Sequence, residues 1–253
     1  MNDNEFILNR QLGFVSILRK LQNDEVLAVA YEYTFNGTRY KVGELSEDYQ
    51  SLTSTDAVYL KLLQPNRIQL EAPTWALQLR NIYSLGANNI TREGFSLRIH
   101  YRDDAQGIDN PSINEGKGVE NVPLIEVVGL DRLNAANDEG KDGNFDYIEG
   151  LTIDSQQGHI MFPLLEPFGS HLRSQFAEDA QQEVVDRYVY EELYTMTRAD
   201  AERVTTKNKY RLTGKYNAAS SSSEYNIPAF GVVPGSVVVS RHNTFDRRTR
   251  LYG

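Results

Sequence analysis

The stretch FSLRIHYR (residues 95–102) shows most clearly which secondary structure dominates the chain. Its apolar members are Phe95, Leu97, Ile99 and Tyr101, and its polar members are Ser96, Arg98, His100 and Arg102. A period of two places alternate side chains on opposite faces of a β-strand. The stretch therefore predicts a strand with one face in a core and the other in water.

Similar short runs rich in Val, Ile, Leu and Tyr occur along most of the chain. Two of them, residues 25–35 and 38–45, are joined by Asn36-Gly37, which predicts a β-hairpin because both residues tolerate positive φ. A second turn, residues 155–158, links two further runs. The remaining predicted strands are 57–63, 75–85, 123–130, 149–154, 159–165, 209–216, 227–230 and 236–240.

Residues 168–206 have a different, helical composition. Ser170 is the predicted N-cap of a helix over residues 171–194, and Thr197 is the predicted N-cap of a second, shorter helix. The stretch 218–224 predicts a flexible loop. We therefore expect a mainly β (α+β) chain with an antiparallel β-sandwich-like domain, a helical connector and a partial second β unit. Their predicted boundaries are residues 1–167, 168–206 and 207–253.

The composition narrows the classes of function. The chain has 253 residues and a net charge of −9, which disfavours a nucleic-acid partner because phosphate binding needs a basic surface. Zero cysteines exclude disulfides and thiol catalysis. The start, MNDNEFILNRQ, lacks the basic and apolar segments of a signal peptide. We expect either a cytoplasmic protein or an internal piece of a longer one.

The acidic stretch NDEGKDGNFDYIEG (residues 137–150) resembles a calcium-binding loop in its spacing. Its candidate ligands are Asp138, Asp142, Asn144, Asp146 and Glu149, with Gly143 at the sharp turn. The third position, Gly140, has no side-chain oxygen, and the flanks predict strands instead of the two helices of an EF-hand. A structural calcium site, a catalytic carboxylate pair and a solvated acidic loop are the alternatives.

Other candidate sites have weaker support from the sequence. The four histidines show no metal-ligand spacing, and no GxSxG motif is present. Trp75 and the 15 tyrosines on a β scaffold are compatible with stacking on sugar rings, although such tyrosines more often serve packing. The sequence therefore predicts no catalytic residue and no cofactor other than calcium.

Several long phrases resemble the SprA/Sov family of Bacteroidota, the outer-membrane translocon of the type IX secretion system, which also supports gliding motility. They are LGFVSILRKLQNDEVLAVAYEYTFNGTRYKVGE, PTWALQLRNIYSLGANNITREGFSLRIHYRDDAQG, LDRLNAANDEGKDGNFDYIEGLTIDSQQGHIMFPLLEPFGSHL and IPAFGVVPGSVVVS. The resemblance implies a piece of a giant β-barrel protein of the outer membrane, with no catalytic residues. It also implies contacts with other parts of the translocon, a PorV-type barrel protein, a plug protein and secreted cargo.

Most strands here are too short and too polar for a lipid-facing band, so we expect a region outside the barrel wall, periplasmic or on the cell surface. The expected function is non-catalytic: to scaffold the channel or to dock partner proteins. The alternative is a calcium-stabilised, carbohydrate-binding β-sandwich at the cell surface.

Overall fold

A computed structural model describes residues 5–10, 12–19, 21–22, 24–45, 47–48, 53, 56–218 and 244–245. The predicted strands at 227–230 and 236–240, and the predicted loop at 218–224 beyond its first residue, lie outside the described residues. The chain divides into two compact units, Met1–Leu79 and Arg80–Gly253.

The N-terminal unit consists of short antiparallel strand pairs. Its elements are β1 (Phe6–Asn9), β2 (Phe14–Ile17), β3 (Leu27–Val29), β4 (Tyr31–Phe35), β5 (Thr38–Val42), β6 (Lys61–Gln64) and a 3-10 helix (Pro73–Leu77). Strand β1 pairs with β2, β3 with β6, and β4 with β5. Each pair is a separate two-stranded ladder, so both outer edges of each ladder are open among the described residues.

The predicted hairpin at Asn36-Gly37 is confirmed. Strands β4 and β5 pair so that Phe35 faces Thr38, and the two turn residues have φ of 48° and 78°. A positive φ at both turn positions is what a tight two-residue hairpin demands, and Asn and Gly adopt it at low cost. The predicted strand over residues 25–35 is instead divided between β3 and β4, which belong to different sheets.

The C-terminal unit contains the longest strands and all the α-helices of the described residues. Its elements are β7 (Ile82–Ser84), β8 (Ile90–Asp103), β9 (Ile108–Asn110), α1 (Leu124–Val127), β10 (Ile153–Asp154), β11 (His159–Met161), α2 (Ser170–Gln175), α3 (Gln182–Tyr188), α4 (Glu192–Thr195), α5 (Arg198–Arg203), β12 (Tyr210–Ala218) and β13 (Thr244–Phe245). Two sheets form, with strand orders β13-β12-β8-β9 and β10-β11-β7.

Strand β8 has the alternating burial that its sequence predicts. Leu97, Ile99 and Tyr101 are buried, whereas Ser96 and Arg98 are exposed. Its partner β12 supplies further buried side chains in antiparallel register, with Tyr210 opposite Tyr101 and Leu212 opposite Ile99. The two strands together present one continuous apolar face to the core.

The helical segment shares that core. The Phe168 ring lies 4.5 Å from the Tyr210 ring, and the Tyr188 ring lies 4.7 Å from the Tyr101 ring, measured between centroids. Leu172 in α2 is also fully buried in the same cluster. The predicted boundaries after residues 167 and 206 thus both fall within one compact unit.

The predicted strand at 123–130 is wrong, because its centre forms the one-turn helix α1. Leu124, Ile125, Val127, Val128 and Leu130 are all buried there. A short continuous apolar run has no period of two or of 3.6, so it cannot by itself distinguish a buried strand from a buried helical turn. The prediction at 75–85 is correct only for β7, since its first part is the 3-10 helix.

The single helix predicted after Ser170 is also wrong, because three short helices, α2, α3 and α4, occupy residues 170–195. Ser170 is the first helical residue, and Gly169 precedes it without a side-chain cap. A Cβ atom at Gly169 would lie 2.8 Å from the Tyr194 ring, so this close approach favours glycine. The Ala177 amide then bonds the Lys117 carbonyl at 2.8 Å, outside any helix. This tertiary contact lies between α2 and α3 and interrupts the predicted helix there.

Thr197 caps α5 as predicted, since its side-chain oxygen accepts from the Asp200 amide. At the level of class, the chain is mainly β with antiparallel strand pairing and some helix, as the sequence predicts. The sandwich-like arrangement and the division at residues 167 and 206 stay predictions.

The alternating burial along β8 predicts that substitutions on its two faces differ in their effect on stability. Substitution Ile99→Ala removes a buried side chain and leaves a cavity, so we expect it to lower the free energy of unfolding by about 3 kcal/mol. The neighbouring Arg98→Ala, on the exposed face, should change it by less than about 0.5 kcal/mol. Urea unfolding followed by circular dichroism measures both. Equal effects at the two positions would contradict the assignment of faces.

Candidate functional site: the acidic loop and its cavity

The acidic loop begins at Asp131, directly after the buried Leu130 at the end of the α1 region. The Asp131 carboxylate is fully buried. Its Oδ1 accepts from the Asp142 amide at 3.1 Å and its Oδ2 accepts from the Gly143 amide at 2.7 Å. A buried carboxylate is tolerated where such hydrogen bonds replace those of water. Asp131 therefore anchors the far side of the loop to the core.

A second carboxylate, Asp146, closes the loop from its other end. Its Oδ2 accepts from the Arg132 amide at 2.6 Å and from the Leu133 amide at 3.1 Å. The Asp146 amide donates in turn to the Leu130 carbonyl at 2.9 Å. Hydrogen bonds from backbone amides to a carboxylate are stronger than those between neutral groups. The two ends of the loop are thus held together by Asp146.

Between the hydrogen bonds made by Asp131 and those made by Asp146, the chain forms a tight inner turn. Asn134 accepts at Oδ1 from the amides of Ala136 and Asp138, at 2.8 and 3.1 Å. The Gly140 amide bonds the Arg132 carbonyl at 2.9 Å. Local side-chain acceptors of this kind are the usual means by which Asn and Asp fix a turn.

Three of the five predicted calcium ligands bond nearby backbone amides. Besides Asp146, Asp142 accepts from the Asn144 amide at 3.0 Å, and Glu149 accepts from the Ser155 amide at 3.0 Å. Asp138 is exposed. Within the described residues, no group of three or more His, Asp or Glu side chains is arranged to hold a metal ion. Since a carboxylate oxygen keeps further lone pairs, the calcium site stays a prediction.

A cavity of about 240 Å³ adjoins the loop. The rings of Phe95, Phe145 and Tyr147 contribute to its lining, and the Arg92 guanidinium lies 5.9 Å from the centroid of the Tyr147 ring. Tyr147 donates its hydroxyl to the Ile90 carbonyl at 3.0 Å, and burial raises the pKa of that hydroxyl. Polar groups of the loop, among them Asn134, complete the wall. The cavity therefore combines flat apolar rings with amide and carboxylate groups.

The other predicted candidates lie elsewhere. His171 bonds the Val127 carbonyl through Nε2 at 2.8 Å, and His100 bonds the Thr213 hydroxyl through Nδ1 at 3.2 Å. His159 is in β11, and His242 lies outside the described residues. Trp75 belongs to the 3-10 helix of the N-terminal unit, whereas the cavity belongs to the C-terminal unit.

The residue that the sequence did not reveal is Asp131, because it lies just outside the conspicuous acidic stretch. The sequence does contain one indication of the role of this residue. An acidic residue that directly follows the apolar run PLIEVVGL must either turn to solvent or find hydrogen-bond donors. The amides of Asp142 and Gly143, eleven and twelve residues further on, supply those donors.

No family model and no curated protein matches the chain. In the part of the chain that the structure describes, no helix combines the length and the apolar character needed to cross a membrane.

Removal of the Asp131 carboxylate tests its anchoring role. Asp131→Ala leaves two amides without their acceptor, so we expect a loss of about 3 kcal/mol in the free energy of unfolding. Asp138→Ala is the matched control, since that exposed carboxylate makes none of these bonds, and it should cost less than about 0.5 kcal/mol. Urea unfolding gives both values. If Asp131→Ala lowers the free energy of unfolding no more than Asp138→Ala does, the Asp131 carboxylate does not anchor the loop.

Proposed function

We propose that the chain is a non-catalytic structural region of an outer-membrane protein translocon of the type IX secretion and gliding machinery. There it scaffolds the channel or docks partner proteins. The resemblance of the phrases at residues 12–44, 73–107, 130–172 and 227–240 to the SprA/Sov family supports this identity. The geometry of the acidic loop supports a structural role, since its carboxylates Asp131 and Asp146 bond backbone amides that shape the chain.

The observation that carries the proposal is the solvent exposure of the N-terminal unit. No described residue of that unit is buried. Every exposed large hydrophobic residue in the described part of the chain, apart from Ile108 and Leu165, belongs to it. A unit of this size whose described residues form no buried core gains too little from apolar burial among them to offset the conformational entropy lost on folding. Its strands therefore need apolar partners from outside the described residues.

The hairpin of β4 and β5 shows where such a partner would bind. Tyr31, Tyr33, Phe35 and Tyr40 share one face of the hairpin and are 44%, 46%, 62% and 42% exposed. The opposite face carries Glu32, Thr34, Arg39 and Lys41. An amphipathic ladder with its aromatic face uncovered is typical of an interaction surface.

The open strand edges favour the same conclusion. The described strands of the N-terminal unit form isolated two-stranded ladders, and such ladders are at best marginally stable alone in water. Pairing with strands of the same translocon would satisfy their free backbone groups. By family resemblance, further partners are a PorV-type barrel protein, a plug protein and secreted cargo. The location is the outer membrane, in its periplasmic or cell-surface portion.

Site-specific photo-crosslinking in cells tests this docking role. With p-benzoylphenylalanine at Tyr33 of the intact protein, we expect crosslinks to another translocon segment or to the PorV-type partner, because the aromatic face is covered in the assembly. The matched control is the same probe at Glu32, one residue away on the polar face, where we expect at least about tenfold less product, since strand neighbours point to opposite faces. Crosslinks at neither position, or equal yields at both, would count against the proposal.

A second candidate function is carbohydrate binding at the cavity beside the acidic loop, with calcium bound in the loop. The observation that favours it is the combination of the Phe95, Phe145 and Tyr147 rings with the Asn134 and Asn144 side chains in one cavity wall. Aromatic faces stack on the apolar faces of sugars, and amides bond their hydroxyls.

Thermal melts with calcium and with EDTA, followed by a glycan array, test this candidate. A calcium ion at a hundred times its dissociation constant should stabilise the fold by about 2.7 kcal/mol, so the midpoint should rise. Sugar binding should be lost in Tyr147→Ala and kept in the control Trp75→Ala. Equal melting midpoints would reject the calcium site, and the absence of saturable glycan binding would reject the carbohydrate function.

A further inference from the structure

The paired strands β8 and β12 carry a basic face on the side of the sheet opposite their buried apolar residues. Side chains alternate between the two faces of a strand, so every second residue of the pair belongs to this face. The positive side chains that define the basic face are Arg98, Arg102, Arg211 and Lys215. The face belongs to the C-terminal unit, whereas the aromatic hairpin of β4 and β5 belongs to the N-terminal unit.

The basic face has an excess of positive charge. Its carboxylate among the described residues is Asp109 of β9, which forms ion pairs with Arg102 at 3.3 Å and with Arg211 at 3.5 Å. One carboxylate is thus shared by two guanidinium groups. Arg98 and Lys215 are exposed, and neither forms an ion pair with a described residue. Four cations against one carboxylate leave three positive charges in excess, in a chain whose net charge is −9.

Neighbouring ionisable groups do not cancel this excess. Lys209 and Asp104, where β12 begins and β8 ends, form an ion pair with each other at 3.3 Å and add no net charge. Burial lowers the pKa of His100, so its ring is neutral at physiological pH. Glu93 is the nearest acidic residue before Arg98 in β8, and it lies roughly 15 Å further along the strand.

Two of the cations are already held in position. The side chains of Arg102 and Arg211 are 31% and 29% exposed, and Asp109 forms an ion pair with each. A guanidinium has five N–H donors, so both groups keep donors for a second acceptor. A cavity of about 200 Å³ adjoins the two side chains. Binding of a further carboxylate there therefore costs little additional side-chain entropy.

The four cations advance along the sheet in regular steps. Successive cross-strand pairs on one face follow each other about 7 Å apart, because residues two apart on a strand point to the same side. The successive pairs are Lys215 with Ser96, Arg98 with Thr213, Arg211 with His100, and Arg102 with Lys209. Each pair contributes one cation of the basic face. An extended peptide with Asp or Glu at alternate positions presents its carboxylates at the same interval of about 7 Å.

Other polyanions fit the basic face less well. Single-stranded nucleic acid binds through aromatic side chains that stack on its bases, and the described residues of this face include no Phe, Tyr or Trp. A nucleic-acid duplex or an anionic membrane extends beyond the face, so it would also meet the rest of an acidic chain. A short peptide meets only the basic face, since charges more than about 10 Å away are largely screened at 0.1 M salt.

We propose that the basic face of β8 and β12 docks an extended, acidic segment of a partner protein. Alternate carboxylates of that segment bond the four cations in turn, from Lys215 at one end to Arg102 at the other. Carboxylates suit the guanidinium groups in particular, because the two planar groups form paired, charge-assisted hydrogen bonds. This surface acts independently of the aromatic hairpin of the N-terminal unit.

Fluorescence anisotropy of a labelled peptide with four Glu-Thr repeats tests the proposal on the full chain. We expect saturable binding with a dissociation constant of about 100 μM at 50 mM NaCl, as for a few exposed ion pairs. Binding should weaken at least about threefold at 300 mM NaCl, because salt screens exposed charges. A peptide of four Gln-Thr repeats should not bind. An oligonucleotide of eight thymidines, and vesicles with 30% phosphatidylserine, should bind more weakly than the Glu-Thr peptide.

The opposite results would overturn the proposal. They are the absence of saturable binding of the Glu-Thr peptide, binding that is independent of salt, equal binding of the Gln-Thr peptide, and tighter binding of the oligonucleotide or of the vesicles.

Arg98→Gln and Lys215→Gln locate the binding surface. Both side chains are exposed, so their charge can be removed without leaving a buried group unsatisfied. Each substitution should weaken binding of the Glu-Thr peptide about threefold, and the two together about tenfold. Lys141→Gln is the matched control, since it removes one exposed positive charge from the acidic loop and should bind as the unchanged protein does. Equal weakening in Lys141→Gln, or unchanged affinity in the double variant, would refute docking at the basic face.

Discussion

The pairing of β8 with β12 is the interaction on which the C-terminal unit depends. It joins residues 90–103 to residues 210–218, which are separated in sequence by more than a hundred positions, as the bond between His100 and Thr213 shows. The apolar face that the two strands share carries Leu97, Ile99 and Leu212 into the core. The helices between the strands then bury Phe168 and Leu172 against it. Because this contact is so distant in sequence, forming it costs loop-closure entropy, which the apolar packing of the intervening chain against the paired strands offsets.

Two buried polar groups of the C-terminal unit differ in their hydrogen bonding. Asp131 is fully buried and bonds two amides of the acidic loop, so it fixes the loop that contains the predicted calcium ligands. Tyr101 is the contrasting case, since its buried hydroxyl has no hydrogen-bond partner among the described residues. The first arrangement is typical of a structural role, whereas the second leaves a buried polar group unpaired, which costs stability.

The two units differ in how they are stabilised. The C-terminal unit encloses a large apolar cluster, whereas no described residue of the N-terminal unit is buried. In the hairpin of β4 and β5, the stacked rings of Tyr33 and Tyr40 lie 5.1 Å apart on a face that remains exposed. Such a surface gains stability only when another surface covers it. In the proposed scaffolding role, the rest of the translocon would provide that covering surface.

Local chemistry determined the features that the sequence predicted correctly. Alternation over 95–102, positive φ at Asn36-Gly37 and the cap at Thr197 each depend on neighbouring residues alone. Tertiary structure decided the rest: residues 123–130 contain a helical turn, and the bond from Ala177 to Lys117 helps divide the helix predicted after Ser170. The role of Asp131 likewise depends on groups brought together only by folding, and a hydrophobic period cannot specify which distant donor or acceptor will meet a side chain.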